Sequence, residues 1–167
     1  MVRDMGKEKT VSYGGCIASG RRVSADLREL CAVFEDSSVV HRYYLDLLTG
    51  EIIFTSDEFM DAEERAELDE NMEEGLRGRY IPIPGVSSRE GYDDMEDFIE
   101  TVEDASLKEK LYIAINGRGA FRRFKDVLLG YPKVRERWLK FKDARVAERV
   151  LEWLESEGIE LVDAKTR

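Results

Sequence analysis

From Pro132 onward the chain reads as one unbroken helix to Glu157, 26 residues with apolar positions on two sides. Straight, such a helix is about 39 Å long. Trp138, Phe141, Ala144, Leu151 and Leu154 make one stripe, while Leu139, Val146, Val150 and Trp153 make another. A surface helix buries a single stripe. A helix apolar on two sides therefore either forms the centre of the fold or buries its later half against a second copy. The chain is read accordingly as a monomer built around this helix or a homodimer formed through it. Pro132 suits the first turn, where its missing N–H costs little, and Gly158 closes the helix.

The elements before it are shorter. Residues 1–22 are glycine-rich, carry mixed charges and show no sustained period, and they are read as a flexible leader. Ser24 is a candidate N-cap for a helix in which Leu27, Leu30, Cys31 and Phe34 recur at i, i+3, i+4 and i+7. A hairpin follows: strands 41–46 and 51–55 flank Leu47-Leu48-Thr49-Gly50, with Gly50 available for positive φ. Next come an acidic helix over about 58–74 and an extended segment over 79–84, which two prolines confine to a sheet edge or to the start of a loop. Ser87 or Ser88 with Glu90 opens a helix carrying Met95, Phe98, Ile99 and Val102. Asp104 or Ser106 opens the next, which stops at Asn116-Gly117. A helix over 119–129 ends at Gly130, and a short strand closes the domain at 159–162.

The expected fold class is α+β, mainly helical, with a small antiparallel sheet on the hairpin. One domain is expected over 23–162, followed by a flexible tail over 163–167. At 167 residues the chain can bury roughly two-thirds of the surface its unfolded form exposes. No signal-peptide pattern or run of 18 apolar residues occurs, so no membrane association and a cytoplasmic location are expected. Cys16 and Cys31 lack CxxC spacing, and Cys31 is expected as a buried free thiol.

Charge divides the chain more sharply than any composition figure. Residues 116–149 hold 11 Lys/Arg against 4 Asp/Glu, a balance of +7; residues 46–110 hold 6 against 21, a balance of −15. Net charge is −10, which repels nucleic acid unless a separate basic face exists. Within the basic stretch, Phe121, Phe124, Val127 and Leu128 read as a core face, leaving Arg122, Arg123 and Lys125 outside it. With Arg118, Gly119, Arg135 and Arg137 they form the candidate anion- or partner-binding set. Two fates are open to that face: a ligand surface, or pairing with the acidic helices at 58–74 and 90–104.

Candidate chemistry is sparse. Residues 117–120 combine two glycines, an arginine and a starting helix, the ingredients of a phosphate site, but lack P-loop and dinucleotide-fingerprint spacing. The alternative reading is a helix C-cap at Asn116-Gly117 and a tight corner at Gly119. His41 is the single histidine, and its pairing with Cys31 as a dyad is the weaker reading beside a structural role. The clusters Asp93, Asp94, Glu96, Asp97 and Asp61, Glu63, Glu64 have no metal-binding spacing. No metal, cofactor or catalytic residue is expected.

Several runs resemble the bacterial uncharacterised protein family 0158. They include Tyr43-Tyr44-Leu45-Asp46 with Thr49-Gly50-Glu51, Tyr80-Ile81-Pro82-Ile83-Pro84, and Ser88-Arg89-Glu90-Gly91-Tyr92 with Met95-Glu96-Asp97-Phe98-Ile99. The run Gly117-Arg118-Gly119-Ala120-Phe121-Arg122-Arg123-Phe124-Lys125-Asp126 is the most specific; Arg137-Trp138, Trp153-Leu154-Glu155 and Gly158-Ile159 add to it. The resemblance covers roughly 23–160. It implies a single domain and brings no catalytic residue or cofactor.

The expected function is that of a non-enzymatic binding or regulatory protein whose basic surface meets an acidic protein face or a nucleic-acid backbone. The alternative is a small hydrolase or phosphate-handling enzyme with an anion at 117–120.

Overall fold

The computed structural model describes residues 20–36, 38, 40–56, 61, 63, 66, 70 and 78–162. The acidic helix expected over 58–74 falls outside them apart from isolated positions, as do Cys16 and residues 1–19 and 163–167.

The described elements run in the order β1 (Arg21–Val23), α1 (Leu27–Phe34), β2 (His41–Asp46), β3 (Ile52–Ser56), β4 (Tyr80–Pro82), α2 (Ser88–Glu100), α3 (Ala105–Ile115), α4 (Ala120–Leu129), α5 (Pro132–Ser156) and β5 (Ile159–Leu161). The fold is α+β and mainly helical. β3, β2 and β4 form an antiparallel sheet in that order, with Tyr43 opposite Phe54 and Leu45 opposite both Ile52 and Ile81. Pro82 lies in the edge strand β4, as two prolines in that run require.

Local chemistry explains most boundaries. Ser87 and Glu90 cap α2 reciprocally: Ser87 Oγ accepts from the Glu90 N–H, and the Glu90 carboxylate accepts from the Ser87 N–H. Asp104 caps α3 by accepting from the Leu107 N–H. Gly50 has φ +79°, and a Cβ there would lie 1.8 Å from the carbonyl oxygen of Ser24. That close approach places the hairpin turn against the start of the domain.

Three local expectations are corrected. Asp26, not Ser24, is the N-cap of α1; its extended backbone lets the carboxylate accept from the Arg28 N–H at 2.7 Å. Arg21 and Arg22, read as leader, begin β1, which pairs in parallel with β5. A parallel pair has no hairpin to announce it. Phe121 is not core: it is 41% exposed, although Phe124 and Leu128 beside it are buried.

Two apolar cores share one helix. The first joins α2, α3, α4 and the N-terminal half of α5 around Phe98, Phe124 and Trp138, with Trp138 centred 5.2 Å from Phe98 and 4.8 Å from Phe124. Edge-on aromatic pairs of this kind add roughly 0.5–1.5 kcal/mol each beyond their buried area. The second packs Val23, Leu30, Phe34 and Leu45 from β1, α1 and β2 against Val146, Val150 and Leu154 of α5. The long helix is thus the axis of the fold, and its later half is covered within the chain. Leu139 and Leu151, drawn into the apolar stripes from sequence, are 47% and 50% exposed. The buried face instead runs through Trp138, Val146, Val150 and Leu154, with Arg145 and Arg149 beside it and paired with carboxylates of α2. No helix among the described residues is long and apolar enough to cross a membrane.

Candidate functional site

The basic stretch divides into cations with internal partners and cations without. Arg123 reaches back from α4 to the end of α3, its Nε donating to the Ala114 carbonyl at 2.9 Å and Nη2 to the Asn116 carbonyl at 2.7 Å. Arg137 does the same for α2, donating through Nη2 to the Thr101 carbonyl and hydroxyl, each at 3.1 Å, while its guanidinium lies over Phe98. Neither α2 nor α3 has a basic residue in its own last turn. A helix C-terminus carries unsatisfied carbonyls and partial negative charge, and these two arginines answer both.

Farther along α5 the partners are carboxylates. Arg149 holds Asp94 in a bidentate pair at 2.7 and 2.8 Å and approaches Glu90 at 3.5 Å. The guanidinium of Arg145 bonds Asp97, with its Nε 3.6 Å from Asp94. Lys142 pairs with Glu35 at 2.9 Å, and Lys140 with Glu136 at 2.8 Å. Asp94 and Asp97, considered from sequence as metal ligands, are therefore committed to arginine. Among the described residues no cluster of three or more His, Cys, Asp or Glu is disposed to hold a metal ion.

What remains is concentrated at α4 and the start of α5. Arg118, Lys125, Lys133 and Arg135 are exposed and have no ion-pair partner among the described residues. Arg122 meets only Asp126, one turn on at 3.8 Å, with its side chain 89% exposed; such a pair is worth about 0–1 kcal/mol. Of the residues singled out from sequence, all six cations are exposed, but Arg123 and Arg137 bond to helix ends whereas Arg118, Arg122, Lys125 and Arg135 do not. Gly119, at φ +80°, is the N-cap of α4 without a side-chain cap bond.

Lys125 and Arg135 border a trough that sequence reasoning missed. One cavity of about 400 Å³ lies between α4 and α5, with Leu129, Trp138 and Leu139 in its wall beside those two cations. A second, also about 400 Å³, adjoins it at Lys125, Trp138 and Lys142 and is lined further by Phe121, Val146 and the N-terminus of α2 at Ser87 and Ser88. Phe121 packs there against Gly91, where a Cβ would come within 3.1 Å of the ring. The missed signal was periodic: Phe121, Lys125 and Leu128 on α4, and Arg135, Leu139, Lys142 and Val146 on α5, each fall on one helical face.

The hairpin end carries a second polar group. Asp36 accepts from the Tyr43 hydroxyl at 2.6 Å and the Ser38 N–H at 2.9 Å, and its Oδ2 lies 2.5 Å from His41 Nδ1. The Tyr43 bond first, then His41 and the Ser38 amide, hold the Asp36 carboxyl down at about 2. His41 thus has a partner, and it is Asp36. Cys31 is free and half-buried, and burial pushes its thiol up.

Comparison with known proteins agrees with the resemblance seen in the motifs. Residues 23–166 match the model of the Uncharacterised protein family (UPF0158). A UPF0158 protein of Pseudomonas aeruginosa is 30% identical over 140 residues, 84% of this chain and 87% of that one. UPF0158 proteins of Chlamydia trachomatis and Chlamydia pneumoniae are 29% and 28% identical over 134 residues, each covering 80% of this chain. The chain spans only 40% and 41% of the length of those two relatives. No solved structure matches it significantly. With nearly all of its described fold inside the matched region, the chain belongs to the bacterial uncharacterised protein family UPF0158.

Proposed function

We propose that this protein works by binding, and that the surface of α4 and α5 around Lys125 and Arg135 receives an acidic segment of a protein partner. The observation that carries this reading is the division of the basic stretch. Four of its eleven cations are spent on helix C-termini and on the carboxylates of α2 and three more pair with other carboxylates, yet Arg118, Lys125, Lys133 and Arg135 have no such partner among the described residues. Unpaired cations beside an apolar trough complement a partner bearing both carboxylates and apolar side chains.

A nucleic-acid backbone fits less well. Tracking phosphates requires an extended cationic track, but the internal pairs of Arg145 and Arg149 shorten the available one, and the net charge of −10 opposes approach. A phosphate-handling site at 117–120 has only the uncapped start of α4 in its favour; Gly117 there faces open space.

The test is an NMR titration of the full chain with a glutamate-rich peptide and, separately, with a 20-base-pair DNA duplex. Peptide-induced shifts should cluster on α4 and the start of α5, weaken from 50 to 500 mM salt as screening tightens, and vanish in Lys125→Glu/Arg135→Glu. Duplex binding with no peptide response would sink the proposal in favour of nucleic acid. Peptide shifts that persist in the charge-reversed variant would place the surface elsewhere.

A further inference from the structure

Building on the binding reading, we infer that the partner segment enters the trough as a short amphipathic helix, with apolar side chains on Leu129, Trp138 and Leu139 and carboxylates toward Lys125 and Arg135. The two cavities share the side chains of Lys125, Trp138 and Lys142 and so lie side by side along α5. Together, from Arg135 to Val146, they flank α5 for about three turns, or roughly 16 Å at 1.5 Å per residue.

The walls select the chemistry of the occupant. Leu129 is 63% exposed and Leu139 47%, while Leu128 and Trp138 behind them are buried. The trough is therefore an apolar floor reaching solvent through two leucines, flanked by cations without internal partners. An occupant that covered only the leucines would leave two ammonium or guanidinium groups facing apolar surface. A purely acidic one would leave the leucines wet.

Backbone bookkeeping selects its conformation. Between α4 and α5 both walls are helices whose interior N–H and C=O groups bond within the helix, so the trough offers no sheet edge to an incoming strand. An extended peptide would bury backbone donors and acceptors without partners. A helix satisfies its own backbone and presents side chains at i, i+3, i+4 and i+7, the spacing that helix-in-groove recognition uses.

Three peptides of equal length with the same numbers of Leu and Glu, the remainder Ala apart from one Pro in the third, separate the possibilities. The first places Leu on one helical stripe flanked by Glu, the second scrambles the order, and the third keeps the stripe but carries a central Pro. Binding to the full chain is measured by NMR titration. The striped peptide should bind at least about tenfold more tightly than the other two, because the gain is burial of leucine surface. Leu129→Ser/Leu139→Ser should remove that advantage; both sites are exposed, and retained amide dispersion will verify folding. Equal binding of all three peptides to the cationic face would overturn the helix while leaving the acidic-partner reading intact. Binding by none would remove both. Self-association of the wild-type chain that disappears in the leucine variant, seen by sedimentation, would identify the occupant as a second copy and overturn the inference.

Discussion

Arg149 on α5 grips Asp94 on α2 through two parallel bonds, Nη2 to Oδ1 at 2.7 Å and Nη1 to Oδ2 at 2.8 Å, and the aspartate is only 3% exposed. Asp94 adjoins Met95 of the first core and Arg149 adjoins Val150 of the second, so the pair ties one core to the other. Removing one partner of a buried pair strands the other charge, at a cost of about 3–5 kcal/mol. Asp94→Ala is therefore expected to lower the urea midpoint sharply. Arg149→Lys should recover little, because an ammonium cannot make the bidentate fork. A loss below about 1 kcal/mol in Asp94→Ala would show that the pair contributes no more than a surface contact.

Arg123 and Arg122 are neighbours in sequence with opposite roles. Arg123→Ala removes both donors from the end of α3 and should cost about 1–3 kcal/mol in chemical denaturation. Arg122→Ala, touching only Asp126 on the surface, should fall within about 0.5 kcal/mol of wild type. Equal effects would refute the capping role.

Gly50 is expected to tolerate no side chain. Alanine there would adopt φ near +79° and drive its Cβ into the backbone of Ser24, where no rotamer change gives relief. A loss of about 3 kcal/mol or more is expected for Gly50→Ala, combining left-handed strain with the clash. Gly117→Ala, with positive φ but open surroundings, should cost only the strain, about 1–2 kcal/mol. Thermal melts of the two variants compare them directly.

Acid should weaken the sheet end. The Asp46 carboxyl is held at about 2, chiefly by the Arg79 guanidinium and then by the Leu48 and Thr49 amides, against an ordinary 3.8. A pKa depressed in the folded state contributes stability that is fully present above the unfolded value and is lost as pH falls through the folded one. Stability from Asp46, and from Asp36 by the same sign, should accordingly hold above about pH 4 and decline toward pH 2. Urea midpoints at pH 6, 4, 3 and 2 should fall less steeply below pH 4 in Asp46→Asn than in wild type. Parallel curves would exclude the Asp46 contribution.

Much of the secondary structure is legible locally. The hairpin, the Ser87–Glu90 capping box, the Asp104 cap and the Pro132 start are written in neighbouring residues, because turns and caps are made by groups a few positions apart. The candidate site is legible only in part. Its cations stand out by charge density, but Arg118, Arg123 and Arg137 look alike along the chain, and only their distance from a helix end separates a cap from a free side chain. Phe121 fits the apolar period of α4 and still remains half out of the core, since its ring rests on Gly91 at the edge of the trough.

By itself the sequence determined the helices from α1 to α5, the hairpin, the family and the split between acidic and basic segments, all properties of residue order and local spacing. The tertiary structure decided which charges meet. Pairing of Asp94 with Arg149, and capping of α2 and α3 by Arg137 and Arg123, depend on packing between elements far apart in the chain. The trough beside Lys125 and Arg135 arises the same way, from two helices meeting through Phe124 and Trp138 and leaving Leu129 and Leu139 uncovered. Periodicity can say that a face is apolar or charged. Which face is covered, and by what, is fixed only when distant elements pack.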